Sequence, residues 1–368
     1  MLGQRIQGNA MATGDSSASS VFLELSRLAE SADRQPQWPA QSWQCLAALQ
    51  GLKWTLPTPY GVGLEEAALW QRLESLAGAC TTTALIWTQR ESACRHIVEK
   101  ASAAVRQELL GPLAEGTIFT TVGVAHLTTS RQHISPAMVA TEDDTGFILD
   151  GVMPWVSAAS QADYFVTGAV LTGSGLQILL IVPRDSAGVT VGEPMDLMAL
   201  AGSMTTEVTC SSVRVERKWL LAGPAEKVLT LGRGGAGGLH TVCLALGLSR
   251  AAIDFLELEA RQRPELEPIT VGLGRRHSRL QKAIYSLTSN AASPPEVALL
   301  RAGANALVLQ STQAALTASK GTGFRHPHPA QRWARQALFF LVWSCPWPAA
   351  SATLDALVNP SPDCESGL

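Results

Sequence analysis

The feature that most constrains this chain is a change of hydrophobic period, made twice. From about residue 20 to 117 apolar residues recur every three or four positions. The pattern is clearest in "LEEAALWQRLESLAGACTTTALIW", where Leu69, Leu73, Leu76 and Cys80 fall between Glu65, Glu66, Arg72 and Glu74. That spacing predicts an amphipathic helix with one apolar and one charged face. The preceding "LPTPYGVG" cannot continue a helix and marks a loop. From about 118 to 215 the runs shorten to "FILDGVMPWVS", "YFVTGAVL", "LQILLIVP", "GVTVGEP" and "TTEVTCSSVRVE", separated by turn residues. Helical spacing returns from about 228, in "LHTVCLALGLSRAAIDFLELEARQR" and three later segments. The predicted class is α+β. An N-terminal all-α domain covers 20–117, a middle antiparallel β domain 118–227 and a C-terminal four-helix bundle 228–358, and residues 1–19 and 359–368 are expected to be disordered.

Composition removes several function classes. Only 16% of the 368 residues are charged and 46% are hydrophobic, which implies much buried helix surface or a subunit interface, hence a homodimer or homotetramer. A net charge of −3 without a dense Lys/Arg run offers no field for nucleic acid. Seven dispersed cysteines without a C-x-x-C pair fit a reducing, cytoplasmic setting. The longest apolar runs, "ILLIV" and "ALFFLVW", are too short to span a bilayer, so no membrane partner is expected. Among seven histidines only His326 and His328 lie close together, with no carboxylate or cysteine at ligand spacing, so no metal is expected. "LGRGGAGG" at 231–238 lacks the strand and the Lys-Ser/Thr of a phosphate loop, and no G-x-S-x-G elbow is present.

"GVMPWVSAASQAD", at 151–163, places a wide aromatic ring, Trp155, two residues before a short hydroxyl, Ser157. On a regular strand both side chains would face the same way and could address one planar ligand. The other reading makes Trp155 a core aromatic and Ser157 a strand-end residue.

Four segments together resemble the acyl-CoA dehydrogenase family over nearly the whole chain. "LPTPYGVG" with the helix after it is similar to that family's "P-x-x-Y-G-G-x-G" loop. "GVMPWVSAASQADYFVTGA" is similar to "G-x-K-x-W-I-T-N-G-x-x-A-D". "GSMTTEVTCSSVRVERKWLLAG" is similar to "S-x-T-x-x-V-x-F-x-x-V-x-V-P", and "GTGFRHPHPAQRWARQAL" to "G-G-x-G-Y-x-x-x-x-P-x-x-R-x-x-R-D-A". The resemblance implies a flavoprotein oxidoreductase holding FAD, or FMN, and acting on a small molecule, an acyl-CoA thioester. It makes Trp155 the residue packed on the flavin and Ser157 the hydroxyl near its N5. Leu127 and Thr128 become the pair at the pyrimidine edge, and Ser203 and Thr205 the S-x-T hydroxyls near the cofactor. Arg263 stands for the family's cofactor arginine, and Gly321 and Gly323 for glycines that let backbone approach it, with Lys320 at a third glycine position.

The same resemblance exposes a gap. Removing an α-proton from an acyl thioester requires a carboxylate, because an un-ionised hydroxyl is too weak a base. The family's commoner base position falls on Ser344 and its alternative near Gly237. His126, His240 and Glu207 are the substitutes within the sequence. The alternatives are a flavin monooxygenase of the same fold, which needs no α-carbon base, and an inactive flavin or acyl-CoA binder.

Overall fold

The computed structural model describes residues 16–128, 136–230, 237–289, 293–343 and 347–358. It has an N-terminal helical region, a central sheet and a C-terminal helix bundle. By packing, the chain forms two compact units: a sheet unit of residues 31–65 and 82–237, and a helical unit of the stretches up to 30, 66–81 and from 238 onward.

The N-terminal helices are α1 (Ser16–Arg34), α2 (Ala40–Ala48), α3 (Glu66–Ala79), α4 (Thr81–Lys100) and α5 (Ala103–Glu115). α1 begins inside the first nineteen residues expected to be disordered; Ala18 and Phe22 are buried, and that burial holds its first turns. Leu69, Leu73, Leu76 and Cys80 are all buried, as the helical spacing predicts. Glu74, placed by the same spacing on the charged face, is a correction: only 8% of it is exposed, because helices of the same unit cover that side as well.

The sheet has eight strands: β1 (Thr120–Gly123), β2 (Met138–Glu142), β3 (Gly146–Val156), β4 (Tyr164–Leu171), β5 (Gln177–Pro183), β6 (Val189–Val191), β7 (Thr206–Glu216) and β8 (Leu220–Ala225). Their order is β6-β7-β3-β2-β4-β5-β8, with β1 beside β4. Most pairings are antiparallel, but β1–β4 and β2–β4 run parallel, so the sheet is mixed rather than purely antiparallel. Parallel partners need a long connection, and the β2–β3 hairpin, inserted between β1 and β4, supplies it. In β5 every residue from Ile178 to Val182 is fully buried. Cover on both faces explains why "ILLIV" is unbroken rather than alternating. Phe147, Leu149 and Met153 of β3, Phe165 of β4 and Ile97 of α4 belong to the same core.

A four-residue helix, α6 (Ala125–Thr128), follows β1 and packs on β3. In the helical unit, α7 (Gly237–Ala260), α8 (Glu267–Tyr285), α9 (Pro294–Gly323) and α10 (Pro329–Phe339) are the four patterned helices. A fifth, α11 (Trp347–Val358), packs on α9. Among the described residues one helix, Leu239–Ala260 within α7, is long and apolar enough to cross a membrane; 72% of its apolar window is buried within the protein, as in a core helix.

Candidate flavin wall at the end of the sheet

The site begins with a defect in β3. Met153 pairs with Val208 and Val156 with Thr206, so Pro154 and Trp155 together face the single residue Glu207. Two residues against one is a β-bulge, and proline, which has no N–H to donate, suits it. The extra residue breaks the alternation expected for Trp155 and Ser157, which corrects the same-face argument. Trp155 takes φ +60° and turns outward, 53% exposed, while Ser157, one residue past the strand, is buried. Trp155 is therefore not a core aromatic.

Ser157 is held from three sides. Its carbonyl accepts a hydrogen bond from Thr121 Oγ1 at 2.9 Å. The next residue, Ala158, donates its N–H to the Ser203 carbonyl at 2.7 Å. Ser157 Oγ lies 2.9 Å from Thr205 Oγ1, which lies 2.8 Å from Ser203 Oγ. The structure thus joins Ser157 to the Ser203–Thr205 pair, which the resemblance assigned from a separate motif. The turn bearing Ser203 is fixed by Asp33 at the end of α1, whose Oδ1 accepts from Leu200 N–H at 2.8 Å. Gly202 is required there, because a Cβ would stand 2.4 Å from the Ala32 carbonyl oxygen.

Hydrogen counting gives this chain a chemical property. Three hydroxyls carry three hydrogens, and the two links among them use two. One O–H remains to donate, with no further partner among the described residues. All three side chains are buried, so the spare donor lies in a place where an unmade bond is costly.

Next to the bulge, a Cβ on Gly123 would lie 2.9 Å from Met153 Sδ and 3.1 Å from Val156 Cγ2. β1 thus delivers α6 beside β3. Leu127 Cδ1 approaches Gly168 of β4 so closely that a Cβ at Gly168 would be 2.3 Å away. Thr128 closes α6. His126 Nε2 lies 2.8 Å from the Gly168 carbonyl oxygen, and burial pushes its pKa down. Its Nδ1 is buried without a hydrogen-bond partner among the described residues. Sequence reasoning named His126 only as a substitute base; its bond to a carbonyl 42 positions away carries no sequence signal.

Arg263, Gly321 and Gly323 lie in the helical unit. Arg263 donates to the Ala318 carbonyl at 2.8 Å and to Glu259 Oε2 at 2.6 Å, so its guanidinium ties α7 to α9. Gly321 and Gly323 end α9, past a kink at Lys320 with φ 50° and ψ −150°. That conformation is glycine's, although the residue is lysine. A Cβ at Gly321 would meet nothing within 4 Å, whereas one at Gly323 would stand 2.4 Å from Ser319 Cβ. Gly237 is the first residue of α7, and Ser344 lies outside the described residues. Glu207 and His240 are half-buried, on β7 and α7. Among the described residues no group of three or more His, Cys, Asp or Glu side chains is arranged to hold a metal ion.

Residues 18–117 match the family model "Acyl-CoA dehydrogenase, N-terminal domain". The chain is 24% identical over 340 residues to the probable acyl-CoA dehydrogenase YngJ of Bacillus subtilis, covering 85% of this chain and 88% of that one. Along these stretches the chain is similar to the acyl-CoA dehydrogenases. Its fold matches solved structures over nearly its whole length. Glutaryl-coenzyme A dehydrogenase in its glutaryl-CoA complex superposes with a TM-score of 0.78 at 16% identity, covering 95% of this chain and 97% of that one. FMN-bound TdsC of Paenibacillus sp. A11-2, a dibenzothiophene monooxygenase, superposes with a TM-score of 0.77 at 17% identity, covering 94% and 98%. A dehydrogenase and a monooxygenase thus share this chain's fold at nearly equal structural distance.

Proposed function

We propose that this protein is a flavin-dependent oxidoreductase of acyl-CoA dehydrogenase type, acting on the CH–CH group of an acyl thioester. The observation that carries the reading is the wall at the end of β3. An exposed aromatic ring, turned out by a bulge, stands beside a buried hydroxyl chain with one hydrogen left to donate. The residues fit an isoalloxazine, which is planar and bears several ring acceptors and, when oxidised, a single N–H. Bound there, the flavin would supply the acceptor for a hydride leaving the substrate. Trp155 would pack on the ring and limit water at it. The Ser157–Thr205–Ser203 chain would orient the ring and offer its free O–H to a ring acceptor. FAD is the cofactor proposed, with FMN the alternative.

Removal of the α-proton requires a base. Neither Ser344 nor Gly237 supplies a carboxylate, and that observation favours a second reading, monooxygenation, which needs no α-carbon base. Anaerobic mixing with a series of acyl-CoA thioesters separates the two. Bleaching of the flavin band supports dehydrogenation. No bleaching by any thioester, together with oxygen uptake driven by NADH and a separate reductase, assigns the protein to the monooxygenases.

A further inference from the structure

We infer that His126 is the protein's acceptor for the flavin ring N3–H, a binding role set by its tautomer. The inference rests on the flavin reading and adds a dedicated acceptor to the donor that the hydroxyl chain offers. A carbonyl oxygen only accepts, so the 2.8 Å contact with Gly168 requires the proton to sit on Nε2. Burial lowers the imidazole pKa and keeps the ring neutral. Nδ1 therefore carries a lone pair, and it is buried with no donor near it among the described residues.

A buried acceptor left unmatched is a recurring cost that a ligand donor removes. The position is also fixed tightly. α6 is pressed on β4 at Gly168, where the absence of a side chain admits Leu127, and β1 seats α6 against the β3 bulge that carries Trp155. The hydroxyl chain offers a donor and His126 an acceptor within one unit of the protein. Oxidised isoalloxazine has many acceptors but one ring N–H, at N3, so that atom is the match for Nδ1.

The test uses the full chain with FAD and FMN, each beside its N3-methyl derivative, by equilibrium titration. The wild-type protein is expected to bind the methylated ring about 10-fold or more weaker than the parent. That preference should collapse in His126→Phe. In wild-type protein carrying 15N-labelled histidine, the Nδ1 resonance should read as a bare lone pair without flavin and shift to a hydrogen-bonded value when flavin binds. The spectrum needs no variant, so a misfolded His126→Phe leaves the inference testable. Equal affinity for both rings, or an Nδ1 signal unmoved by bound flavin, overturns the inference while the flavin reading stands. An Nδ1 signal already hydrogen-bonded without flavin assigns the partner to water and also overturns it. If the wild-type protein binds no flavin in any form, the reading and the inference fail together.

Discussion

The polar groups around the β3 bulge and those of Glu74 and Arg263 are used differently. In the sheet unit, the hydroxyl chain keeps one hydrogen unused and His126 keeps a lone pair unused, both buried. In the helical unit two polar groups the sequence singled out, Glu74 and Arg263, are spent on neighbouring helices, although Asn305 Oδ1 there is also buried without a hydrogen-bond partner among the described residues. Glu74 accepts from Gln281 Nε2 at 2.7 Å and from Tyr285 Oη at 3.1 Å, and Arg263 is consumed by Glu259 and the Ala318 carbonyl. A buried group with capacity left over can take up a ligand, whereas a spent one holds helices together. The proposed flavin site draws on the first set, in the sheet unit.

Glu74 gives the largest effect on the helical side. Burial pushes its pKa from 4.5 up to about 7. A carboxyl raised in the folded state contributes stability that is fully present below its unfolded pKa and lost as pH rises through the folded value. Between pH 4.5 and 8 the wild-type protein is expected to lose about 3 kcal/mol from this group, and Glu74→Gln should flatten that slope. Denaturant unfolding at several pH values measures it, and an unchanged slope in the variant breaks the account of Glu74.

Thr205→Val sharpens the sheet side. It removes the middle hydroxyl, strands Ser157 and Ser203, and should cost about 2 kcal/mol of stability. Flavin affinity should fall as well, which no change around Glu74 should cause. Lys320→Gly is the next smaller effect. The backbone there already holds a glycine conformation, so the variant should be stabilised by about 1 kcal/mol. A thermal melt with and without added flavin reads both. Trp155→Ala should change stability least, by about 1 kcal/mol or less, since half of the side chain is already exposed. Its flavin affinity should nevertheless drop about 10-fold, separating a ligand contact from a structural one.

What the sequence discloses follows from how far apart the interacting residues lie. The face of Leu69, Leu73, Leu76 and Cys80 is a local period and appears directly in the letters. The hydroxyl triad joins residues 48 positions apart, and only the resemblance hinted at it, through two unrelated motifs. The bulge at Pro154–Trp155 arises from pairing with β7, so the alternation read from β3 alone put Trp155 and Ser157 on one face. β1 and β2 escaped notice because they are short, and β1, "TTVG", lacks an alternating pattern. Glu74 appeared solvent-facing because a period places residues on a helix face without showing how many neighbours cover it.

The most direct test of the central claim is a titration of the purified full chain with FAD and FMN, followed by the visible flavin band and repeated with Thr205→Val and Trp155→Ala. The account predicts tight, saturable binding by the wild-type protein that both variants weaken. Wild-type protein that stays colourless and cannot be reconstituted, or binding that neither substitution alters, would contradict it.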